Sequence, residues 1–372
     1  MNVGKKLLIA AILMLLGYII NEYDDIIVGR YYDWAFVPAQ VSDGRSFEIL
    51  IRNGTYETIK EETWNTKLLA NTKSVISYLR SPKISVYEYG EYALLLHYAY
   101  QYAKVKDDIE IKELVKKKFD KVYIVNGGGK IIRNDQVAYG NVAIDLYLDT
   151  RDNKYKQFAD LIYQRLDSIN KKEGMILYNG GRDEQRVDGI GLICPFLFYY
   201  ASTFNNDHSL ELASRTANEY IKWGTDPETG VPSKSYGINT HIKRISPNWG
   251  RGVSWYLIGT EMLTEMDSIC RGRLLRLDNL LLSNQSRLFN QYYDEKGLPD
   301  MSSTIPVLYH LISSGYIKMN KNELTQIIAP FCDNEGILRY CSPVVSSHIE
   351  VNKTISNLFC QGLLLYLLTM CK

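Results

Sequence analysis

The sequence predicts an all-α protein, an (α/α)6 barrel with a few short strands in its loops. The first observation behind this prediction is helical periodicity, which dominates the chain from Trp64 onward. The second is a pair of turn patterns that recur at regular intervals between the candidate helices. The candidate helices cover roughly residues 65–80, 86–105, 109–119, 136–149, 153–169, 188–203, 208–223, 251–267, 271–289, 303–316, 321–330 and 352–370.

The first recurring pattern is a short helix-to-helix turn. It occurs at residues 103–108, 150–153 and 203–207, each time after a helix rich in Tyr, Leu or Ala and before an amphipathic one. The interval of roughly 45–55 residues is the length of one αα-hairpin with its connections. The pattern therefore predicts a series of helical hairpins.

The second pattern is an Asp/Asn-x-x-Gly turn followed by an apolar residue, with its glycine at positions 174, 230, 297 and 336. Glycine supplies the left-handed backbone that such a tight turn needs. Short turns thus alternate with longer loops. Six hairpins of this kind form a toroid, and we expect functional residues at the long-loop end.

The totals describe a globular chain. The 372 residues are 46% hydrophobic, and 43 basic and 42 acidic side chains leave a net charge of +1. Proteins that bind nucleic acids usually have an excess of basic residues, so this balance argues against a nucleic-acid partner. The sequence has no Pro/Gly/Ser linker, so we expect one domain over residues 23–372, with a short strand at Phe47–Arg52.

The N-terminus carries a hydrophobic leader. Lys5 and Lys6 precede the uncharged run 7–20, which is typical of an export signal. No small-x-small cleavage site follows, so residues 1–22 are either an uncleaved signal-anchor or a cleaved signal peptide. We expect an extracytoplasmic protein of the cell envelope, attached to the membrane through this segment.

The sequence lacks the residue patterns that several other kinds of functional site require. The six cysteines and five histidines show no metal-ligand spacing. The run 127–130 lacks the spacing of a phosphate loop, and no Gly-x-Ser-x-Gly elbow occurs. We therefore predict neither a metal nor a cofactor.

Three segments suggest a carbohydrate site. Asp135 and Asp188 each open an apolar helix, and the segment 249–255 reads Trp-Gly-Arg-Gly-Val-Ser-Trp. Taken singly, each aspartate is well explained as a helix N-cap, and Trp249 and Trp255 as core aromatics. Their joint occurrence in one scaffold favours a functional interpretation.

In the hairpin scheme, Asp135, Asp188 and Arg251 all begin helices that face the same end of the barrel. Two carboxylates in one cleft push their pKa values apart, so one can hold a proton and act as a general acid. Arg251 would then bind an acidic sugar. Trp249 and Trp255 would stack on a pyranose ring.

These motifs resemble those of the six-hairpin glycosidases, specifically the unsaturated glucuronyl and rhamnogalacturonyl hydrolases of glycoside hydrolase families 88 and 105. The resemblance covers about residues 85–370. Its motifs are Asp135–Gly140 with Leu146-Tyr147, Val187-Asp188 with Pro195-Phe196-Leu197, the segment 249–255, Asp300-x-Ser302-Ser303, and Gln361-Gly362-Leu363.

The resemblance implies an (α/α)6 fold and names Asp188 as the acid that protonates the C4=C5 bond of a terminal unsaturated uronide. Asp135 would orient the water or tune Asp188. The chain departs from the family pattern at Ser254, where the family has glycine, and at 233–237, where a His-Gly-Trp-type segment is expected. Tyr236 in that segment and His241, in the loop before Trp249, are further candidates for substrate binding.

Two hypotheses of function follow. The first is an exported glycoside hydrolase that acts on acidic oligosaccharides. The alternative is a membrane-tethered polysaccharide-biosynthesis or glycan-binding factor that keeps the cleft without this chemistry.

Overall fold

The computed structural model describes residues 12–18, 36–61, 63–64, 84–85, 87, 89–125, 133–168, 171–172, 174–177, 183–244, 250–292, 298–342 and 356–372. From residue 44 onward the described residues form twelve α-helices. These are α1 Gly44–Lys60, α2 Gly90–Lys106, α3 Ile109–Val125, α4 Tyr139–Thr150, α5 Asn153–Ser168, α6 Val187–Phe204, α7 Asp207–Gly224, α8 Gly250–Thr260, α9 Ser268–Ser283, α10 Met301–Ser313, α11 Lys321–Ile328 and α12 Leu358–Met370.

The strands are pairs of residues in the loops, and all their pairings are antiparallel. They are β1 Thr63–Trp64 with β2 Ile84–Ser85, β3 Lys171–Lys172 with β4 Met175–Ile176, and a three-stranded sheet in which β6 Ser235–Tyr236 lies between β5 Gln185–Arg186 and β7 Lys243–Arg244.

The even-numbered helices form a closed inner ring. Each packs against the next in the order α2, α4, α6, α8, α10 and α12, and α12 returns to pack against α2. The odd-numbered helices alternate with them along the chain and lie outside. The prediction of an (α/α)6 barrel is therefore confirmed.

Eleven candidate helices overlap α2–α12, and the candidate at 65–80 lies outside the described residues. The predicted strand at 47–52 is wrong, because this segment belongs to α1. Asp43 caps that helix by accepting hydrogen bonds from the backbone amides of Arg45 and Ser46. Phe47 and Ile51, four residues apart, are both buried on the face that contacts the barrel.

Both turn patterns have the expected backbone. The three short turns contain Asp107, Arg151 and Asn205, with φ of 54°, 60° and 52°, which end α2, α4 and α6 in the left-handed conformation. In the longer loops, three of the four predicted glycines have φ near +80°, namely Gly174, Gly230 and Gly336. Gly297 lies outside the described residues.

The ring is held together by a polar network as well as by apolar packing. The Asp145 carboxylate on α4 accepts hydrogen bonds from Gln101 Nε2 at 2.6 Å and the Tyr199 hydroxyl at 2.7 Å. It also lies 2.7 Å from His97 Nδ1. Because Asp145 is fully buried, these partners offset its desolvation, and the network joins α2, α4 and α6.

One helix among the described residues, Val187–Phe204, is long and apolar enough to cross a membrane, and 67% of it is buried inside the protein. This helix is α6, and its apolar side chains pack in the barrel core. Near the N-terminus, residues 12–18 are helical and expose large apolar side chains, with Met14 70% exposed.

Candidate active site

The candidate site lies where the inner helices begin. Arg251 near the start of α8 forms an ion pair with Glu91 near the start of α2, and the Asn357 amide, which precedes α12, donates to Glu91 at 3.4 Å. The backbone amide of Gly90 lies 3.3 Å from the Asp135 carboxylate. The N-termini of the inner helices thus meet at one end of the barrel, where their free N–H groups favour negative charge.

Asp188 is the second residue of α6, and β5 leads directly into it. The N-cap position of this helix is occupied by Arg186, so Asp188 is not the N-cap that its sequence context also allowed. Burial raises the pKa of Asp188 above its usual range, while the positive charges of Arg251, Lys234 and Arg186 oppose the rise. A carboxyl group in this environment keeps its proton to higher pH and can act as a general acid.

Asp135 lies in a short 3-10 helix, Asn134–Ala138, immediately before α4. This 3-10 helix packs against both α2 and α6, so the structure brings the segments of Asp135 and Asp188 together. Arg133 donates to the Asp135 carboxylate from Nε at 2.9 Å and forms an ion pair with it. The two aspartates therefore have different surroundings, one desolvated and one paired with a guanidinium.

Gly90 allows this close approach of α2 to Asp135. A Cβ atom at position 90 would clash with the backbone carbonyl group and the side chain of Asp135. The constraint is steric, since a hydrogen atom is all that fits between the two backbones.

The guanidinium group of Arg251 has its partners within the protein. Its side chain is 5% exposed, and besides the ion pair with Glu91 it donates to the Ser342 carbonyl at 3.4 Å. The expectation that Arg251 binds the acidic group of a sugar stays a prediction, and in this structure its guanidinium contacts Glu91 and Ser342. The positive charge of Arg251 is balanced by the Glu91 carboxylate, whose side chain is 16% exposed.

The other candidate binding residues lie in different surroundings. Trp255 is buried and stacks on Phe359 with ring centroids 5.0 Å apart, so we assign it to the core. Tyr236 is buried too, with its hydroxyl 3.6 Å from the sulfur of Met175. Exposed His241 stacks on Trp223 at 3.7 Å, and Trp249 lies outside the described residues.

Sequence reasoning did not single out Glu91 or Asn357. Each contacts a partner that lies more than 150 residues away along the chain, and no local sequence pattern reveals such a contact. Asp300 was visible as part of the Asp-x-Ser-Ser motif. It caps α10 and accepts from the amides of Ser302 at 2.8 Å and Ser342 at 3.0 Å, so it orders the loop beside Arg251.

The described helices form an (α/α)6 toroid with carboxylates where its inner helices begin, and a fold of this class does not by itself assign a function. The sequence profile described as Glycosyl Hydrolase Family 88 matches residues 59–300. The chain belongs to this family and is a glycoside hydrolase of the unsaturated glucuronyl or rhamnogalacturonyl hydrolase type. The predicted resemblance is therefore confirmed.

Solved structures agree in fold. A possible member of the GH105 family from Salmonella enterica serovar Paratyphi A superposes with a TM-score of 0.70 at 15% identity, covering 90% of this chain and 95% of that one. A possible GH105 member from Klebsiella pneumoniae gives 0.69 at 16%, covering 90% and 94%. A family 88 glycosyl hydrolase from Bacteroides vulgatus gives 0.61 at 12%, covering 88% and 99%. A search of curated protein sequences returns no match.

Proposed function

We propose that this glycoside hydrolase is exported and acts on acidic oligosaccharides that end in an unsaturated uronic acid, with Asp188 as the general acid. The observation that carries the proposal is the environment of Asp188. It lies at the mouth formed by the inner helices, beside the segment of Asp135, and burial raises its pKa. Family membership supports the same reaction type.

In the proposed reaction, Asp188 donates its proton to C4 of the C4=C5 double bond, and positive charge develops at C5. A water molecule that Asp135 orients adds its oxygen to C5 and gives up a proton to a carboxylate of the pair. The resulting hemiketal opens to a C5 ketone, and the hemiacetal formed at C1 then releases the rest of the oligosaccharide. The atoms and electrons of this reaction balance without a metal ion or a redox step.

Export is proposed from the leader. Lys5 and Lys6 precede the apolar run, and the described part of it, residues 12–18, is a helix with its large side chains exposed. Such a surface is suited to a lipid environment.

The proposal is tested with purified protein and a panel of unsaturated uronyl disaccharides. The reaction removes the conjugated double bond, so turnover is followed as loss of ultraviolet absorbance. Saturated uronides of the same linkage serve as controls and should give no signal and no released sugar. Binding without turnover across the panel would instead support the alternative of a glycan-binding factor.

A further inference from the structure

The end of the barrel where the inner helices finish carries a recess lined by aromatic and acidic side chains. We call it the tyrosine recess, and it comprises Tyr98 on α2, Glu261 directly after α8, Tyr309 on α10 and Tyr366 on α12. Glu261 lies roughly 15 Å along α8 from Arg251, at about 1.5 Å per helical residue. The candidate active site is at the opposite end, where these helices begin.

Two buried aromatic residues separate the recess from the candidate active site. The ring centroid of Trp255 is 5.8 Å from the guanidinium carbon of Arg251. Trp255 stacks on Phe359, and the Phe359 ring in turn lies 5.9 Å from the ring of Tyr98. Packed core side chains would therefore divide a molecule in the recess from the candidate acid.

The three tyrosines of the recess form a triangle of rings. The ring centroids of Tyr98 and Tyr309 are 6.2 Å apart, those of Tyr98 and Tyr366 are 6.0 Å apart, and those of Tyr309 and Tyr366 are 6.2 Å apart. No pair is stacked face to face. Rings this close can all lie within about 6 Å of one bound cation, which is the range of cation–π attraction.

Glu261 supplies a negative charge at the recess. Its carboxylate accepts a hydrogen bond from the Tyr309 hydroxyl at 2.6 Å, and among the described residues no cation forms an ion pair with it. Glu261 remains in contact with solvent, whereas desolvation raises the pKa of its carboxyl group, as expected for a side chain in a recess. The C-terminus of α8, directly before Glu261, carries partial negative charge and also favours a cation.

The hydroxyl of Tyr98 lacks a partner. The residue is 6% exposed, and within the part of the chain that the structure describes its hydroxyl makes no hydrogen bond. Buried hydroxyl groups are normally hydrogen-bonded, so this one indicates a position where a bound molecule can supply the partner.

We propose that the tyrosine recess is a second ligand site, which binds a small organic ammonium ion. The ammonium group lies against the rings of Tyr98, Tyr309 and Tyr366, and Glu261 balances its charge. Aromatic rings combined with a carboxylate recognise such a cation by charge and by the ring quadrupole. The inference is independent of the proposed hydrolase reaction.

The test measures binding of choline and of dimethylbutanol, its uncharged carbon isostere, to the full-length protein by calorimetry at constant ionic strength. Glu261→Gln removes the charge and keeps an acceptor for Tyr309. Tyr366→Phe keeps the ring at that position and Tyr366→Leu removes it. Glu265→Gln is the matched control, because Glu265 is exposed in the loop that follows Glu261. Thermal unfolding checks that each variant is folded, and Glu261→Gln decides the outcome if Tyr366→Leu does not fold.

Choline should bind saturably at about millimolar concentration or below, and dimethylbutanol should bind at least about 10-fold more weakly. Glu261→Gln should weaken choline binding by about 10-fold or more. Tyr366→Leu should weaken it by roughly 5–30-fold, the range expected for the loss of one cation–π contact. Tyr366→Phe and Glu265→Gln should bind choline as the wild type does.

Equal affinity for choline and dimethylbutanol, absence of saturable choline binding, or an unchanged Glu261→Gln variant would overturn the proposal. A second arm with phosphatidylcholine vesicles identifies the source of the cation. Vesicle binding that choline displaces supports the proposal with a lipid headgroup as the ligand. Choline binding without such displacement supports it with a free ammonium ion as the ligand.

Discussion

At the residue scale, Asp188 and Asp135 are the same residue type in two different surroundings. Asp188 loses solvent at the start of α6, which raises its pKa, whereas Asp135 forms an ion pair with Arg133. A general acid needs surroundings that keep its proton, and burial provides such surroundings at Asp188. The surroundings, not the residue type, distinguish the two roles proposed for these aspartates.

The first prediction concerns turnover by an Asp188→Asn variant. An amide cannot donate the proton, so kcat should fall by roughly 10²–10⁴-fold. Substrate affinity should change little, since the neighbouring side chains remain. Asp207→Asn is the matched control, because Asp207 also lies in the first turn of a helix and is exposed. Full activity in a folded Asp188→Asn protein would refute the catalytic assignment.

The second prediction concerns stability of the same variant. The folded-state pKa of Asp188 is raised above its unfolded value, so the folded state binds the proton more tightly. Ionised Asp188 therefore destabilises the fold, increasingly as pH rises through the raised pKa. Thermal unfolding at pH 4 and pH 8.5 should show Asp188→Asn more stable than wild type at pH 8.5 and closer to it at pH 4. A variant less stable at pH 8.5 would contradict the assigned direction of the shift.

At the element scale, the site depends on how closely the inner helices begin beside one another. Gly90 at the start of α2 touches the backbone of Asp135, and the 3-10 helix of Asp135 packs on α6. A small displacement of this junction moves one carboxylate relative to the other. Catalytic geometry tolerates little of this, since a shift of about 1 Å can cost roughly 10²-fold in rate.

The third prediction tests this junction with Gly90→Ala. The added methyl group clashes with the Asp135 carbonyl, so we expect at least about a 10-fold loss of kcat together with a lower Tm. Gly272→Ala in α9 is the matched control, because its new Cβ would meet only Arg276 Nη1 at 3.8 Å. Alanine in that helix should raise stability by up to about 1 kcal/mol and leave kcat unchanged. Equal activity of Gly90→Ala and wild type would show that the junction does not position Asp135.

At the scale of the whole molecule, the barrel and the N-terminal helix at residues 12–18 differ in how their apolar side chains are covered. The ring closes where α12 packs on α2, and Glu91 on α2 contacts both Arg251 on α8 and Asn357 before α12. The described part of the leader instead exposes its apolar side chains. The membrane attachment proposed for this segment and the stability of the barrel should therefore respond to different substitutions.

The fourth prediction separates the two with Leu13→Arg combined with Leu15→Arg. These side chains are 63% and 60% exposed, so the Tm of the barrel should be unchanged, while the membrane-bound fraction of full-length protein should fall sharply. Ile109→Arg is the control, since Ile109 is 68% exposed on the barrel and should leave fractionation unchanged. Soluble wild-type protein with a new N-terminus after Ile20 would show that the leader is cleaved.

The sequence by itself determined the hairpin architecture. Helix periodicity and left-handed turns are local properties, set within a few residues of Asp107, Arg151 and Asn205 or of a turn glycine, so they can be read from the chain. The helical starts at Asp135 and Asp188 were visible for the same reason. The strand predicted at 47–52 failed because six residues are too short a window to distinguish the two periods, whereas seventeen residues form α1.

Only the tertiary structure decided how the charges at the site are paired and buried. A short motif containing arginine and two tryptophans does not show that Glu91, 160 residues away, balances Arg251, or that Phe359 covers Trp255. Nor does it show that the register of β5 and β6 places Lys234 beside Asp188. Burial and ion pairing depend on segments that are distant in the sequence and meet when the ring closes. These contacts set the pKa of a carboxyl group and pair a guanidinium group within the protein.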